Sequence, residues 1–212
     1  MEKGNLGGGT AYVEMTISGY TPAMDLGFII IQTFYWLALA TWFGGVLFVT
    51  MAAPVIFRTV GESDPILPTV LSVNLEGQHG TLLAGSIVAN LLAATLRIQL
   101  ACAAVLGLCF IAHWKIFYHL QLGLLVVRTV LFVMAVALLI YDWRVVSPRI
   151  FENRQKYIDN ADEPEIANAA KEQFDRYHHE SVNVLMLGLG ALLGLVLFSA
   201  GISTAQSFSF GH

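Results

Sequence analysis

Residues 26–51 read LGFIIIQTFYWLALATWFGGVLFVTM, 26 positions in a row without a charged side chain. About 20 apolar residues in a helix cross the ~30 Å hydrocarbon core of a bilayer. A helix that is apolar on every side must be wrapped by lipid or by a large protein core. A chain of 212 residues has little material for such a core, particularly when further runs of the same kind follow. Only 12% of the residues are charged and 56% are hydrophobic, whereas soluble domains usually carry about 25% charged residues. A membrane protein is the class this leaves.

Residues 120–141 form a second span, interrupted only by Arg128, and residues 182–202 a third. The stretch between the first two is less regular. Residues 81–96 and 100–114 are both apolar, each short for a span, and Arg97 and Gln99 lie between them. The distribution of cations resolves the count. Six of the eleven Lys and Arg residues fall within 142–180: Arg144, Arg149, Arg154, Lys156, Lys171 and Arg176. Cation-rich loops stay on the cytoplasmic side, and neighbouring acids count for little. Arg58 and Arg97 join that side only if 81–96 lies at the interface and feeds one span beyond it. Lys3 and Lys115 then remain opposite.

The chain is therefore expected to be an all-α, multi-pass membrane four-helix bundle with an interfacial helix and a cytoplasmic helical extension. Its spans fall at about 26–51, 98–114, 120–141 and 182–202, and the interfacial helix at about 80–96. The cytoplasmic helical loop covers 142–181. A polar, glycine-rich tail (1–25) and a short C-terminal tail (203–212) complete the chain, both outside, in a plasma membrane or bacterial inner membrane. No cleavable signal peptide is expected, because the first apolar run exceeds a signal core of about 7–15 residues and lacks a basic flank.

Within the loop, Pro148 should end the inward extension of the third span, since proline lacks a helix donor and clashes with the preceding turn. Asp162 is a candidate N-cap, with Glu165 in capping-box spacing and Pro164 in the first turn. Glu172, Arg176 and Glu180 are spaced for i,i+4 pairs. No breaker follows, so one long helix should run from the loop into the last span.

Several residues could carry chemistry. His178, at the inner boundary, could ligate haem or copper together with His79. The plainer alternative is an imidazole anchored at headgroup level, favoured because no second intramembrane His or Met cluster accompanies the pair. Cys109 and His113, one helical turn apart, could share a metal, but two ligands fall short of the three or four that bind tightly. Small cysteines are also ordinary packing material. Cys102 and Cys109 are too far apart along one helix for a disulfide. Arg128 is the most informative position, because an ionised side chain within a span costs about 2.5–3.5 kcal/mol on insertion scales and by default flags function. It either pairs inside the bundle, with Gln32, Gln121 or Asp25 as candidates, or snorkels to the outer surface. Asn183 is the second intramembrane polar group. Gly44, Gly45, Gly190 and Gly194 offer small faces for close helix packing.

Phosphate loops, nucleophile elbows and HExxH are absent from the sequence, which argues against an enzyme. The formal charge of −4 and the lack of a basic, aromatic-studded patch exclude nucleic acid as an expected partner. The expected partners are the lipid bilayer and either another membrane protein or further copies of the chain.

Three segments carry a family resemblance: WFGGVLFVTMAAPVIFR (42–58), DWRVVSPR (142–149) and FDRYHHESVNV (174–184). In these the chain resembles the transmembrane protein 205-like family, also called domain of unknown function 4149. The resemblance implies a four-span protein and no particular reaction. One relative is linked to tolerance of metal-based drugs, which suggests transport or trafficking. The long N-terminus and the doubled His178-His179 depart from the family pattern. The resulting expectation is a non-enzymatic transporter-like bundle or accessory membrane subunit without a cofactor. The alternative is a haem- or copper-binding protein using interfacial histidines.

Overall fold

The computed structural model describes residues 22–63, 65, 78–117 and 122–209. Helix α1 covers Pro22–Glu62, α2 His79–Phe117 and α3 Leu122–Tyr141. A π-helical turn, Asp142–Val146, joins α3 to α4, Ser147–Asp159, and α5 covers Pro164–Ser209. Four helical stretches are long and apolar enough to cross a membrane: Leu26–Glu62, His79–Lys115, Leu122–Asp159 and Pro164–Ala200. The protein is an integral membrane protein with an all-α bundle fold. Most of the expected 1–25 tail lies outside the described residues, but Pro22 already opens α1. At the other end α5 runs through most of the expected 203–212 tail, as far as Ser209.

Neighbouring helices alternate in direction. A Cβ on Gly45 would meet Thr95 at 3.6 Å, and the Cys109 thiol donates to the Ile31 carbonyl at 3.6 Å, which fixes α1 and α2 as an antiparallel pair. A Cβ on Gly194 would meet Leu131 at 3.2 Å, and Tyr141 donates to Glu180 at 2.5 Å, which does the same for α3 and α5. The chain termini of α1 and α5 thus share one end of the bundle, the terminal end. The turns from α1 to α2 and from α4 to α5 share the other, the loop end.

Helices α1, α2 and α5 are about twice as long as the ~30 Å hydrocarbon core of a bilayer is thick. At about 1.5 Å per residue, α1, α2 and α5, with 41, 39 and 46 residues, measure roughly 60–70 Å. No break separates the expected interfacial helix at 80–96 from the span beyond it, since α2 runs straight through Arg97 and Gln99. A helix of this length exceeds the hydrocarbon core, so α1, α2 and α5, together with α4 continuing α3, extend past the slab as one bundle. Arg154 ties α4 to α2 in that extension, donating to the Leu82 carbonyl at 2.9 Å and to Ser86 Oγ at 2.7 Å. Tyr157 donates to Gln78 at 2.5 Å.

Neither inner proline ends a helix. Pro54 lies inside α1, as prolines do in bilayers where neighbours and local hydroxyls re-satisfy the backbone. Pro148 was expected to stop the third span, yet the chain continues into α4. The π turn is the reason: Ser147 N–H bonds the Asp142 carbonyl, five residues back. Widening the turn at that point accommodates a ring that cannot donate to Arg144. Helix α5 opens one residue later than the expected Asp162 cap, with the Glu163 carbonyl taking the first helical bond from Ala167 at 3.0 Å. The expected Glu172–Arg176–Glu180 ladder does not form. Among the described residues the ion pair is Lys156–Glu152, at 2.7 Å, and Glu180 accepts from Tyr141 instead.

The main core lies in the membrane half, built from Tyr35, Leu39, Trp42, Leu106, Leu192 and Leu195 with smaller neighbours. The outward surface of α1 is strongly apolar, with Phe48 61% and Met51 66% exposed, which suits contact with lipid tails or another membrane protein.

Candidate functional site

Arg128 sits six residues, roughly 9 Å, from the start of α3 at the terminal end of the bundle. It does not snorkel. Its side chain is 3% exposed and turns into the helix bundle. The guanidinium lies over the rings of Tyr35, 4.9 Å from the centroid, and Phe110, at 5.5 Å. The His113 ring rests on the same two rings, with centroids 5.4 Å and 6.5 Å away. Three helices thus converge on one polar centre.

Tyr35 is held rigidly. Its hydroxyl lies 2.6 Å from Ser199 Oγ, and Ser199 donates its own proton to the Leu195 carbonyl at 2.5 Å. Ser199 has one proton to give, so Tyr35 is the donor in their shared bond. The phenol is thereby spent on α5, and its ring face is left to the guanidinium. Cation–π contact stabilises by about 0.5–2 kcal/mol for each ring. Burying an unpaired cation costs several kcal/mol, so the rings offset only part of it. Among the described residues no carboxylate pairs with Arg128, and its buried Nε has no hydrogen-bond acceptor. Gln32 makes no bond to it. The side chains of Asp25 and Gln121 lie outside the described residues.

Towards the loop end the centre is closed. Leu39, Trp42, Leu106, Leu192 and Leu195 are each at most 2% exposed and form a dry floor. Asn183 lies 16 residues before Ser199 on α5, about 24 Å away along the axis, on an exposed face. The structure therefore does not join Arg128 and Asn183 into one polar path.

The other sequence-derived candidates scatter. Cys109 and His113 are both buried on one face of α2, but the thiol is engaged with the Ile31 carbonyl and the imidazole lies beside a fixed positive charge. Among the described residues no three His, Cys, Asp or Glu side chains converge. Cys102 and Cys109 are free thiols. His79 opens α2, next to the Gln78–Tyr157 bond, whereas His178 is one residue from Tyr177, which Arg149 covers at 5.2 Å. Tyr157 lies eight residues, roughly 12 Å along α4, beyond Arg149, so the side-chain contacts near His79 and near His178 are made at different levels of the bundle. The His178 ring stacks on Phe174 at 5.9 Å with the planes within 10°. Of the glycines, Gly45 and Gly194 are packed against neighbours, while Cβ atoms on Gly44 and Gly190 would meet nothing within 4 Å.

A second polar junction was not legible in advance. Ser181 donates to Asp142 Oδ1 at 2.7 Å and Ser147 to Oδ2 at 3.1 Å, while Tyr141 reaches Glu180. The segments 142–149 and 174–184 therefore lie face to face across the π turn. Each carboxylate oxygen of Asp142 accepts one hydroxyl, from Ser181 on α5 and Ser147 on α4, which makes it a clamp between them. Asp142→Ala is expected to cost about 1–3 kcal/mol. It should raise amide hydrogen exchange around 142–149 and 177–184 and leave 190–198 unchanged; uniform exchange across α5 would contradict the clamp.

No family model matches the chain, and no curated protein and no solved structure is found similar to it.

Proposed function

We propose that the protein is a non-enzymatic, transporter-like membrane bundle that holds an anionic group of its ligand at Arg128. The observation that carries this is the buried guanidinium, 3% exposed, whose Nε lacks an acceptor. Two aromatic faces orient it and offset part of its desolvation, and an anion would supply the remainder. Carboxylate and phosphate oxygens match the fork of an arginine. The dry floor beneath the centre restricts approach to the terminal end, as expected of a bundle that is closed on one side. That end is the outer one if the arginine-bearing loop is cytoplasmic.

Membership of the transmembrane protein 205-like family is part of the same proposal. It rests on the resemblance carried by segments 42–58, 142–149 and 174–184. Haem or copper at the interfacial histidines has less support, because His79 and His178 lie at different levels.

The test is thermal unfolding of the purified protein in mild detergent at constant ionic strength, with inorganic phosphate, acetate and chloride compared. A bound anion at a hundred times its Kd stabilises by about 2.7 kcal/mol. At least one anion should raise the melting temperature of the wild type and leave Arg128→Met unaffected. Equal shifts in both proteins, or no shift with any anion, would remove the proposal. An absorption spectrum of the same sample tests haem directly.

A further inference from the structure

Two ionisable side chains share the polar centre. His113 is 2% exposed and Arg128 3%, and both rest on the rings of Tyr35 and Phe110. An arginine keeps its charge throughout the physiological range, whereas histidine is the side chain that ordinarily gains or loses one near neutrality. The centre thus pairs a permanent cation with a switchable one. The coupling between them rests on the anion site proposed at Arg128, which by itself uses only the first.

The groups around His113 come from each neighbouring helix. Tyr35 faces it from α1, and Arg128, from α3, lies over the same two rings. On α2 itself Cys109 is one turn before it and the exposed Lys115 two residues after. Helix α5 reaches the centre through Ser199 and carries no ionisable side chain from 181 to 209. The Tyr35 phenol donates to Ser199 and the Cys109 thiol to the Ile31 carbonyl, so neither brings a negative charge. The described carboxylates, Glu62 and those from Asp142 to Glu180, belong to the loop end. Arg128 therefore dominates the field in which His113 sits.

With the centre empty, a proton on His113 would set a second positive charge beside the guanidinium, in an apolar core where like charges repel far more strongly than in water. An anion on Arg128 cancels the first charge and removes that repulsion. A monovalent anion and a proton that enter together add no net charge to the core; either alone changes it by one unit. Such coupling is reciprocal, so the proton favours the anion as much as the anion favours the proton.

We infer that His113 is the proton site of a joint anion–proton centre, in which a carboxylate or phosphate group held at Arg128 binds together with one proton, taken from water at the terminal end onto the His113 imidazole. The bundle then loads its ligand as an acid rather than as a bare anion.

The test uses the full chain in mild detergent with acetate, sulfate and chloride as probes, since none of these changes its own charge between about pH 6 and 8. Affinity is read from thermal shifts, and proton uptake from the pH change when the salt is added to weakly buffered protein. For a probe that binds, affinity should rise as pH falls, by up to about tenfold per pH unit, the limit for one linked proton. His113→Gln should still bind the probe, with an affinity independent of pH and no proton uptake. Nitrogen NMR of histidine-labelled wild type gives a reading that needs no variant: a buried imidazole should gain a proton when the probe is added. Failure of every probe to bind at any pH would remove the Arg128 site and this inference with it. Binding that is lost in Arg128→Met yet independent of pH, with no proton taken up, would leave that site standing and overturn the coupling alone. Undiminished proton uptake in His113→Gln would also overturn it.

Discussion

Arg128→Glu is expected to destabilise the bundle by about 3–5 kcal/mol, whereas Arg128→Met is expected to stay within about 1 kcal/mol of the wild type. The two differ because of what surrounds the side chain. The guanidinium sits on the faces of Tyr35 and Phe110, where the ring quadrupole is negative and attracts a cation. A carboxylate in that position meets the same negative faces while also losing its water. Its neighbours in the core offer little solvation, since Tyr35 has already given its proton to Ser199. Methionine removes the ring attraction and the buried charge together, and relief of the desolvation cost at least makes up for the lost attraction. With native stabilities of about 5–15 kcal/mol, the glutamate variant should appear largely as aggregate in size-exclusion chromatography, and the methionine variant as a single peak. Indistinguishable behaviour of the two would mean that the side chain is solvated rather than buried.

Trp42→Ala should produce the other large loss, about 3–5 kcal/mol. Trp42 is 2% exposed in the main core, alongside Leu39, Leu106 and Leu195. Lipid is as apolar as the core, so the transfer part of the loss is smaller here than in a soluble protein. The cavity part remains, because helices tied by the Tyr35–Ser199 and Arg154–Leu82 bonds cannot collapse freely into the gap. Phe48→Ala removes a comparable ring from a lipid-facing position and should change monomer stability by at most about 0.5 kcal/mol. Reversible unfolding in mixed micelles measures both. Equal losses at 42 and 48 would show that the bundle gains nothing from its interior packing.

How far the sequence foretold this arrangement varied with the kind of interaction. The apolar runs announced four helices, because transfer into lipid is additive over a local window and needs no knowledge of neighbours. The single long helix from the loop into the last span followed from the lack of any breaker between Pro164 and Ser209. Where the sequence-based expectation went astray, a local rule met a local alternative. Pro148 should have stopped a helix, but a five-residue π turn accommodates it. The Glu172–Arg176–Glu180 spacing suggested a charge ladder, but Tyr141 offered Glu180 a partner from another helix.

Side-chain partners belong to a different category. Arg128 could be flagged as costly from its position alone, yet nothing in its neighbourhood along the chain pointed to Tyr35 or Phe110. Tyr35 and Ser199 are 164 residues apart, and Arg154 and Leu82 are 72 apart. Hydropathy thus committed the chain to lipid and to four long helices, since each residue contributes to that outcome independently of the others. Which buried cation rests on which ring, and which glycine packs against a neighbour, awaited the packing of helices distant in sequence, because those contacts depend on the register and rotation of whole elements against one another.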